Sequence, residues 1–306
     1  MMRILLNYRA KRKICHYLKN KNIDIIHTNV SNLDVGIRSA KLLKVPHVLH
    51  FREYADLYFG QKYYPDNAAF LRLINHTGSY KICITKALMR YYHFEKDPNT
   101  RVIYDGVFPE RKQSLNVEKK DYLLFVGRVE PGKRLLEVLK AYKQYYTMTQ
   151  TPWPLLVAGG LQDPNYYDQI KQFISDNSLS DCIIFKGVVN NVNQLMAEAR
   201  AVIVASEFEG FGRVLPEAMF NGTLTIGYDY TGTKEQFDNG LELSGEEIGL
   251  RYHSNEELAN ILCDVTASFS TYHEYVDRAF MTVNNLYTEE ASADKIAEWY
   301  NEICKK

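Results

Sequence analysis

Ser206-Glu207-Phe208-Glu209-Gly210-Phe211-Gly212-Arg213-Val214-Leu215-Pro216-Glu217-Ala218-Met219 follows directly on an apolar run at 201–205. The order is strand, tight glycine turn, helix. Gly210 and Gly212 let the backbone turn sharply and come close to a ligand, while the helix start presents unpaired N–H groups and a partial positive charge. Such a turn seats an anion. Pro216 is tolerated in the first helical turn, where its missing N–H costs little, and Glu217 projects from that turn. Seven residues separate Glu209 from Glu217, so the two carboxylates flank the seat from opposite sides. Carboxylates repel phosphate and bind hydroxyls; a diphosphate with a sugar on one side and a ribose on the other accounts for both. The alternative on spacing alone is a solvated loop residue at Glu209 and a helix-start carboxylate near the dipole at Glu217.

Outward from this segment, short β-branched runs at 23–28, 48–51, 82–85, 102–104, 122–126, 155–158, 183–185, 202–205, 224–226 and 250–252 alternate with stretches of helical period. Near-continuous apolar strands separated by helices are covered on both faces, which predicts parallel sheets and an α/β doubly wound architecture. The stretch 108–120 interrupts the rhythm: it is polar, contains Pro109 and has no strong period. Strands resume at Tyr122, so the chain reads as two Rossmann-like domains facing each other across a cleft. The first spans 1–107, the linker 108–120 and the second 121–287, and a closing segment at 288–306 can pack back on the first. Its helical pattern at 289–303 begins with acids and is followed by Lys305 and Lys306, which suits the helix dipole at both ends.

A second cationic constellation, Gly127-Arg128-Val129-Glu130-Pro131-Gly132-Lys133, again leads from a strand end through glycine turns into a helix. Arg128 offers a planar fork and Lys133 a compact charge; at one loop they can neutralise a departing phosphate without a metal. Either cation taken alone reads as an ordinary surface charge.

Composition narrows the field. A chain of 306 residues, 46% of them hydrophobic, can bury a large core, and Lys+Arg equals Asp+Glu at 37 each. No global field recruits nucleic acid, so an anionic ligand must be held locally. Cys15, Cys83, Cys182, Cys263 and Cys304 form no CxxC pair and no zinc spacing, which fits reduced structural thiols in a cytosolic protein. No Asp-x-Asp pair occurs, so no metal and no cofactor is predicted. No apolar run is long enough to span a bilayer, and the opening run is too short for a signal peptide. Arg3, Arg9, Lys11, Arg12, Lys13, Lys19 and Lys21 crowd the first turns without a single acid. They read either as a solvated helix face or as a peripheral contact with anionic lipid at the inner face of a membrane.

Together the Glu-x7-Glu segment, the Gly-Arg loop with Lys133, Asp105-Gly106-Val107 and the terminal Tyr300-Asn301-Glu302-Ile303 resemble glycosyltransferase family 4, which retains anomeric configuration and has the GT-B fold. The resemblance extends from residue 23 to residue 303, with 155–160 similar to the family's nucleotide-domain strand, Phe185-Lys186-Gly187 to its base-contacting strand, and Thr231-Gly232-Thr233-Lys234-Glu235 to its loop after the acidic helix. It implies a metal-independent hexosyltransferase using a UDP- or GDP-sugar donor and a saccharide or lipid-linked saccharide acceptor, in surface polysaccharide synthesis. It also implies that Arg128 and Lys133, beside Gly127, hold the donor diphosphate, and that Gly159, Lys186 and Gly187 line the nucleotide. Backbone around Gly210, Phe211, Gly212, Arg213, Val214 and Leu215 then cradles phosphate and sugar, Glu209 meets the transferred sugar's hydroxyls, and Glu217 the ribose. His50 matches a histidine placed over the donor sugar, which makes His50, Glu209, Arg128 and Lys133 the catalytic set.

The sequence departs from that family where Arg134 replaces the usual glycine after Lys133, and where Asp105 precedes Gly106 instead of asparagine. The first strand and glycine-rich loop of the acceptor domain are not found, so the first domain reads as short by at least one βα unit. That shortening motivates the rival reading, a non-catalytic or incomplete nucleotide-sugar-binding subunit that needs a partner chain. A nicotinamide dehydrogenase would require Gly-x-Gly-x-x-Gly, and Leu215 stands where the third glycine belongs. A GT-B epimerase fits the paired Glu segment less well. Tyr58, Tyr63, Tyr64, Tyr91, Tyr92 and Phe94 suit carbohydrate stacking, shallow membrane insertion or core packing alike.

Overall fold

The computed structural model describes residues 2–57, 60, 63, 66–108 and 118–305, with side chains from residue 6 on. In chain order the elements are α1 (Met2–Leu18), β1 (Ile26–Thr28), α2 (Val35–Leu43), β2 (His47–Phe51), α3 (Asn67–His76), β3 (Tyr80–Cys83), α4 (Lys86–Tyr91), β4 (Thr100–Val102), β5 (Lys120–Val126), α5 (Leu135–Met148), β6 (Leu155–Ala158), α6 (Pro164–Asp176), β7 (Ile183–Gly187), α7 (Val192–Glu198), β8 (Ala199–Val204), α8 (Val214–Phe220), β9 (Leu224–Tyr228), α9 (Thr231–Ser244), β10 (Leu250–Tyr252), α10 (Asn255–Ala267), α11 (His273–Leu286) and α12 (Glu289–Cys304). Every apolar run read as a strand holds one. Helix starts follow side-chain chemistry: Asp66, Thr85, Asp163 and Ser254 each accept an orphan N–H of the first turn of α3, α4, α6 and α10.

The fold is α/β, built as two compact units, Met1–Asp105 with Glu290–Lys306, and Gly106–Glu289. The first unit holds a parallel sheet in the order β1-β2-β3-β4, with β2 buried along its whole length. Trp299 and Ile303 of α12 close one apolar cluster with Val48, Ile82 and Ile103, so the end of the chain completes the core that its beginning starts. Tyr63, Tyr92 and Phe94 are buried in this unit, and Tyr91 donates to Asp56 at 2.8 Å, whereas Tyr58 and Tyr64 lie outside the described residues.

The second unit begins at Gly106, earlier than the reading of 121, because Val107 donates to the Tyr287 carbonyl at 2.9 Å and Phe108 accepts from Glu289 at 2.8 Å. The expected linker at 108–120 is correspondingly shorter at both ends: β5 already starts at Lys120, and Lys119 bonds Ala197 O and Thr223 Oγ1. Residues 109–117 lie outside the described residues. Six parallel strands run in the order β10-β9-β8-β5-β6-β7. Relabelled from the first strand of this unit, that is 6-5-4-1-2-3, the dinucleotide-binding order. Leu123, Phe125, Leu155, Val157, Ala201 and Ile203 alternate onto one face of the sheet and pack against Val138, Tyr142, Ile170 and Leu262 from α5, α6 and α10. Burial on both faces explains why β6 and β8 read as unbroken apolar runs.

Candidate functional site

In the second unit the chain winds outward from β5 in one direction through β6 and β7, then returns to β8 on the other side. The loops leaving β5 and β8 therefore diverge to opposite faces and leave a crevice at the carboxyl ends of these two strands, where doubly wound sheets bind ligands. Both sequence motifs fall there. Lys133, from the loop after β5, donates to Glu209 Oε1 of the loop after β8, and the two side chains keep only 17% and 15% of their exposure.

The second loop is held from behind by α9. Gly232 N–H donates to Glu209 O at 3.1 Å, Thr231 Oγ1 donates to Glu207 O at 2.9 Å, and Gln236 Nε2 donates to Phe211 O at 2.6 Å. Phe211 and Leu215 are buried anchors, and Gly212 takes φ +81, a conformation that glycine adopts without strain. Gln236 carried no sequence signal; Thr231 and Gly232 were visible only as part of a motif.

Gly127, Gly159 and Gly187 form a row across the strand ends. Gly127 N–H bonds Ala158 O at 2.9 Å and Gly159 N–H bonds Gly187 O at 2.8 Å. A Cβ on Gly159 would lie 1.8 Å from the Gly127 carbonyl oxygen, so the approach of these two loops requires glycine. A Cβ on Gly127 would meet the Lys133 side chain at 3.6 Å, which places the lysine stem over this glycine. Lys186 is exposed on β7, the edge strand.

In the structure Arg128 pairs with Glu130 at 2.9 Å, while Lys133 takes Glu209. Glu217 likewise faces Arg213, Nε to Oε1 at 3.3 Å, and Arg213 also donates to Val107 O at 3.4 Å. Burial raises the Glu217 carboxyl above its usual range, and Arg213 opposes the shift. Val214 opens α8, with Pro216 in its first turn as expected.

Arg134, the departure from the resembled pattern, has φ 55 and ψ 34 at the start of α5. This is left-handed backbone, which costs a residue bearing a Cβ roughly 1–2 kcal/mol. Its guanidinium lies 4.2 Å from the ring centre of Tyr228 on β9, a cation–π contact worth about 0.5–2 kcal/mol. The substitution thus carries its own compensation.

His50 lies in the first unit, 3% exposed, with no hydrogen-bond partner for either ring nitrogen among the described residues. Its ring sits 5.3 Å from that of His27, which bonds the Tyr300 hydroxyl through Nδ1. Burial first, then Arg52 and His27, lowers the His50 pKa to about 3, so the imidazole is neutral. His47, three residues earlier on the same strand, is tied to Thr28 at 2.8 Å and Ser79 at 3.1 Å and reads as a structural residue. Among the described residues no group of three or more His, Cys, Asp or Glu side chains forms a cluster suited to a metal ion.

Comparison with known proteins adds a family. The pattern described as Glycosyl transferases group 1 matches residues 107–279. The chain is 27% identical over 169 residues to the poly(glycerol-phosphate) alpha-glucosyltransferase of Bacillus subtilis, covering 54% of this chain and 24% of that one. It is 27% identical over 156 residues to the N-acetyl-alpha-D-glucosaminyl L-malate synthase of Bacillus anthracis, covering 51% and 39%. The chain therefore spans well under half the length of these curated relatives. Among solved structures, Anabaena HepE in complex with UDP superposes with a TM-score of 0.82 at 19% identity, over 95% of this chain and 82% of that one. That likeness bears on the fold, two Rossmann-like α/β units.

Proposed function

This chain belongs to the glycosyl transferases group 1 family, and from that premise we propose that it is a retaining, metal-independent glycosyltransferase of family 4. It moves a sugar from a UDP- or GDP-sugar to a saccharide or lipid-linked saccharide acceptor. The observation that carries this reading is the Lys133–Glu209 contact across the crevice between β5 and β8. It supports the reading because it brings together a cation suited to a diphosphate and a carboxylate suited to sugar hydroxyls.

In the transfer, the bond from the anomeric carbon to the diphosphate breaks, the acceptor oxygen attacks from the same face, and its proton passes to the departing phosphate. Negative charge grows on the diphosphate, so Lys133, Arg128 and backbone N–H groups of 211–215 lower the barrier more than they strengthen ground-state binding. Glu217 takes the ribose and His50 the donor sugar; Gly159, Lys186 and Gly187 line the nucleotide. The name of the Bacillus subtilis relative specifies an alpha-glucosyl transfer, the outcome retention gives from an α-linked donor; the pathway in this reading is surface polysaccharide synthesis.

A thermal-shift panel of nucleotide-sugars without divalent metal tests the reading. One UDP- or GDP-sugar should raise the melting temperature, and Lys133→Met and Glu217→Ala should each weaken the response. Silence across the panel removes the donor site. Donor hydrolysis or transfer by the purified chain alone separates an enzyme from a subunit that needs a partner.

The same reading places the protein in the cytoplasm, touching the inner membrane face through α1. Arg9, Arg12, Lys13, Lys19 and Lys21 are exposed together with Leu6, Tyr8 and Tyr17, and no acid occurs before Asp24. No described helix is long and apolar enough to cross a membrane. Flotation with vesicles containing anionic lipid, lost in high salt and absent with zwitterionic vesicles, is the expected result.

A further inference from the structure

Two consecutive residues, Lys133 and Arg134, leave the loop after β5 in different directions. Lys133 reaches Glu209, while Arg134 turns back through left-handed backbone and lays its guanidinium on Tyr228 at the end of β9. Tyr228 continues into a short aromatic series: its ring is 6.1 Å from Tyr230, and Tyr230 is 6.2 Å from Phe208, the residue before Glu209. The contacts close a circuit from loop to strand to loop and back to the ion pair. Behind it, Thr231 Oγ1 accepts from the Glu209 N–H at 3.2 Å, so the carboxylate side of the pair is fixed by α9. On the lysine side the backbone bonds given are local to one 3-10 turn at 131–133, Lys133 N–H to Glu130 O at 3.1 Å and Arg134 N–H to Pro131 O at 2.9 Å.

We propose that Arg134 is a positioning residue: clamped on Tyr228, it fixes the backbone from which Lys133 reaches Glu209 and thereby sets the geometry of the anion-binding lysine. Its consequence for donor binding rests on the donor-site reading above. A guanidinium is suited to this task because its flat face stacks on a ring while its charge stays solvated. Glycine at this position would relax the backbone more cheaply and supply no clamp.

The test separates clamp from fold. In the full-length chain, Lys133 is labelled by reductive methylation and followed by mass spectrometry, with Lys171 on α6 as an internal reference; the readout needs no ligand. Arg134→Gly removes the clamp and the left-handed strain together, so its melting temperature should match or exceed the wild type while Lys133 labels several-fold faster. Tyr228→Leu should speed labelling in the same way, and should Tyr228→Leu not fold, Arg134→Gly decides alone. Calorimetric titration with UDP and GDP should then show affinity for the bound nucleotide lowered about tenfold in Arg134→Gly, as misplacement of a binding group commonly does. Lys133 labelling at the wild-type rate in Arg134→Gly overturns the proposal. A wild type that binds neither nucleotide overturns the donor-site reading, and the labelling result still decides the clamp.

Discussion

Gly232 is the position at which one methyl group tests how the loop after β8 is held. A Cβ there would stand 2.7 Å from the carbonyl oxygen of Glu209, 2.9 Å from that of Phe211 and 3.1 Å from that of Gly210. Ordinary contact begins at 3.4 Å, so three backbone carbonyls must retreat together by about 0.3 to 0.7 Å. Overpacking against backbone costs about 1–3 kcal/mol, with the upper half expected where no flexible side chain can yield. Alanine returns about 0.5–1 kcal/mol of helix propensity in α9. The net loss for Gly232→Ala is about 1–2 kcal/mol, a fall of about 2–8 °C in melting temperature for a unit of this size. Because the displaced carbonyls belong to 209–211, nucleotide affinity should fall as well. Gly245→Ala is the control: at φ +79 with nothing within 4 Å, it costs roughly 1 kcal/mol through backbone alone and moves no loop. Scanning calorimetry with UDP and GDP titration reads both effects. The reasoning is refuted if Gly232→Ala melts and binds like the wild type, or if Gly245→Ala loses affinity.

Other expectations follow from the same contacts. Lys81 is 2% exposed at its side chain and paired to Asp97 at 2.6 Å, so Asp97→Ala should destabilise the first unit by about 3 kcal/mol in urea, near the low end for a broken buried pair because Asp97 keeps 23% exposure. An effect below that of an ordinary surface substitution would contradict this account. His47 has its pKa lowered to about 4, by burial first and His27 second. The unfolded histidine binds its proton near pH 6.5, so the stability it contributes is complete above that pH and is lost as pH falls toward 4. The loss is on the order of 3 kcal/mol, and His47→Gln should flatten the pH dependence of unfolding across that window; an unchanged slope would count against it. Lys133→Met should weaken nucleotide binding and lower stability by about 1–3 kcal/mol, since removing one partner of a largely buried pair leaves the Glu209 carboxylate, 15% exposed, without its cation; a Lys133→Met that binds nucleotide like the wild type would move the anion seat elsewhere.

Much of the architecture was legible because parallel strands buried on both faces announce themselves as apolar runs, and glycine turns mark where strand gives way to helix. The Lys133–Glu209 contact was not legible as a contact. It joins residues 76 positions apart, and only the adjacency of β5 and β8 in the sheet order brings them together. Periodicity fixes which segments are strands and leaves open which are neighbours. The Arg128–Glu130 pair was missed for a different reason: Glu130, two residues away, is a local partner that a search for phosphate ligands overlooks. Burial of His50 was hidden because β2, His47-Val48-Leu49-His50-Phe51, is enclosed throughout, so its polar residues give no sign of a wet face. The end of the first unit was misread because 106–108 pair with 287–289, a long-range backbone contact without side-chain signature.

The distribution of strained backbone bears on where function resides. Five non-glycine residues among those described have positive φ: Lys44, His93, Arg134, Ser178 and Thr231. Lys44, His93 and Ser178 lie at or just past the ends of α2, α4 and α6, where a left-handed residue closes a helix by satisfying its last carbonyls. Arg134 closes the 3-10 turn at 131–133, its N–H donating to Pro131 O at 2.9 Å, and at the same time opens α5, while Thr231 stands at the start of α9. The first adjoins Lys133 and the second bonds the Glu209 N–H. Left-handed backbone at a residue bearing a Cβ persists only where surrounding contacts over-determine it, and such strain clusters at ligand sites. Two independent helix starts, nearly a hundred residues apart in sequence, bear that cost on either side of one ion pair. Relaxing either would let the pair drift, which is why the strain and the crevice between β5 and β8 belong to one device.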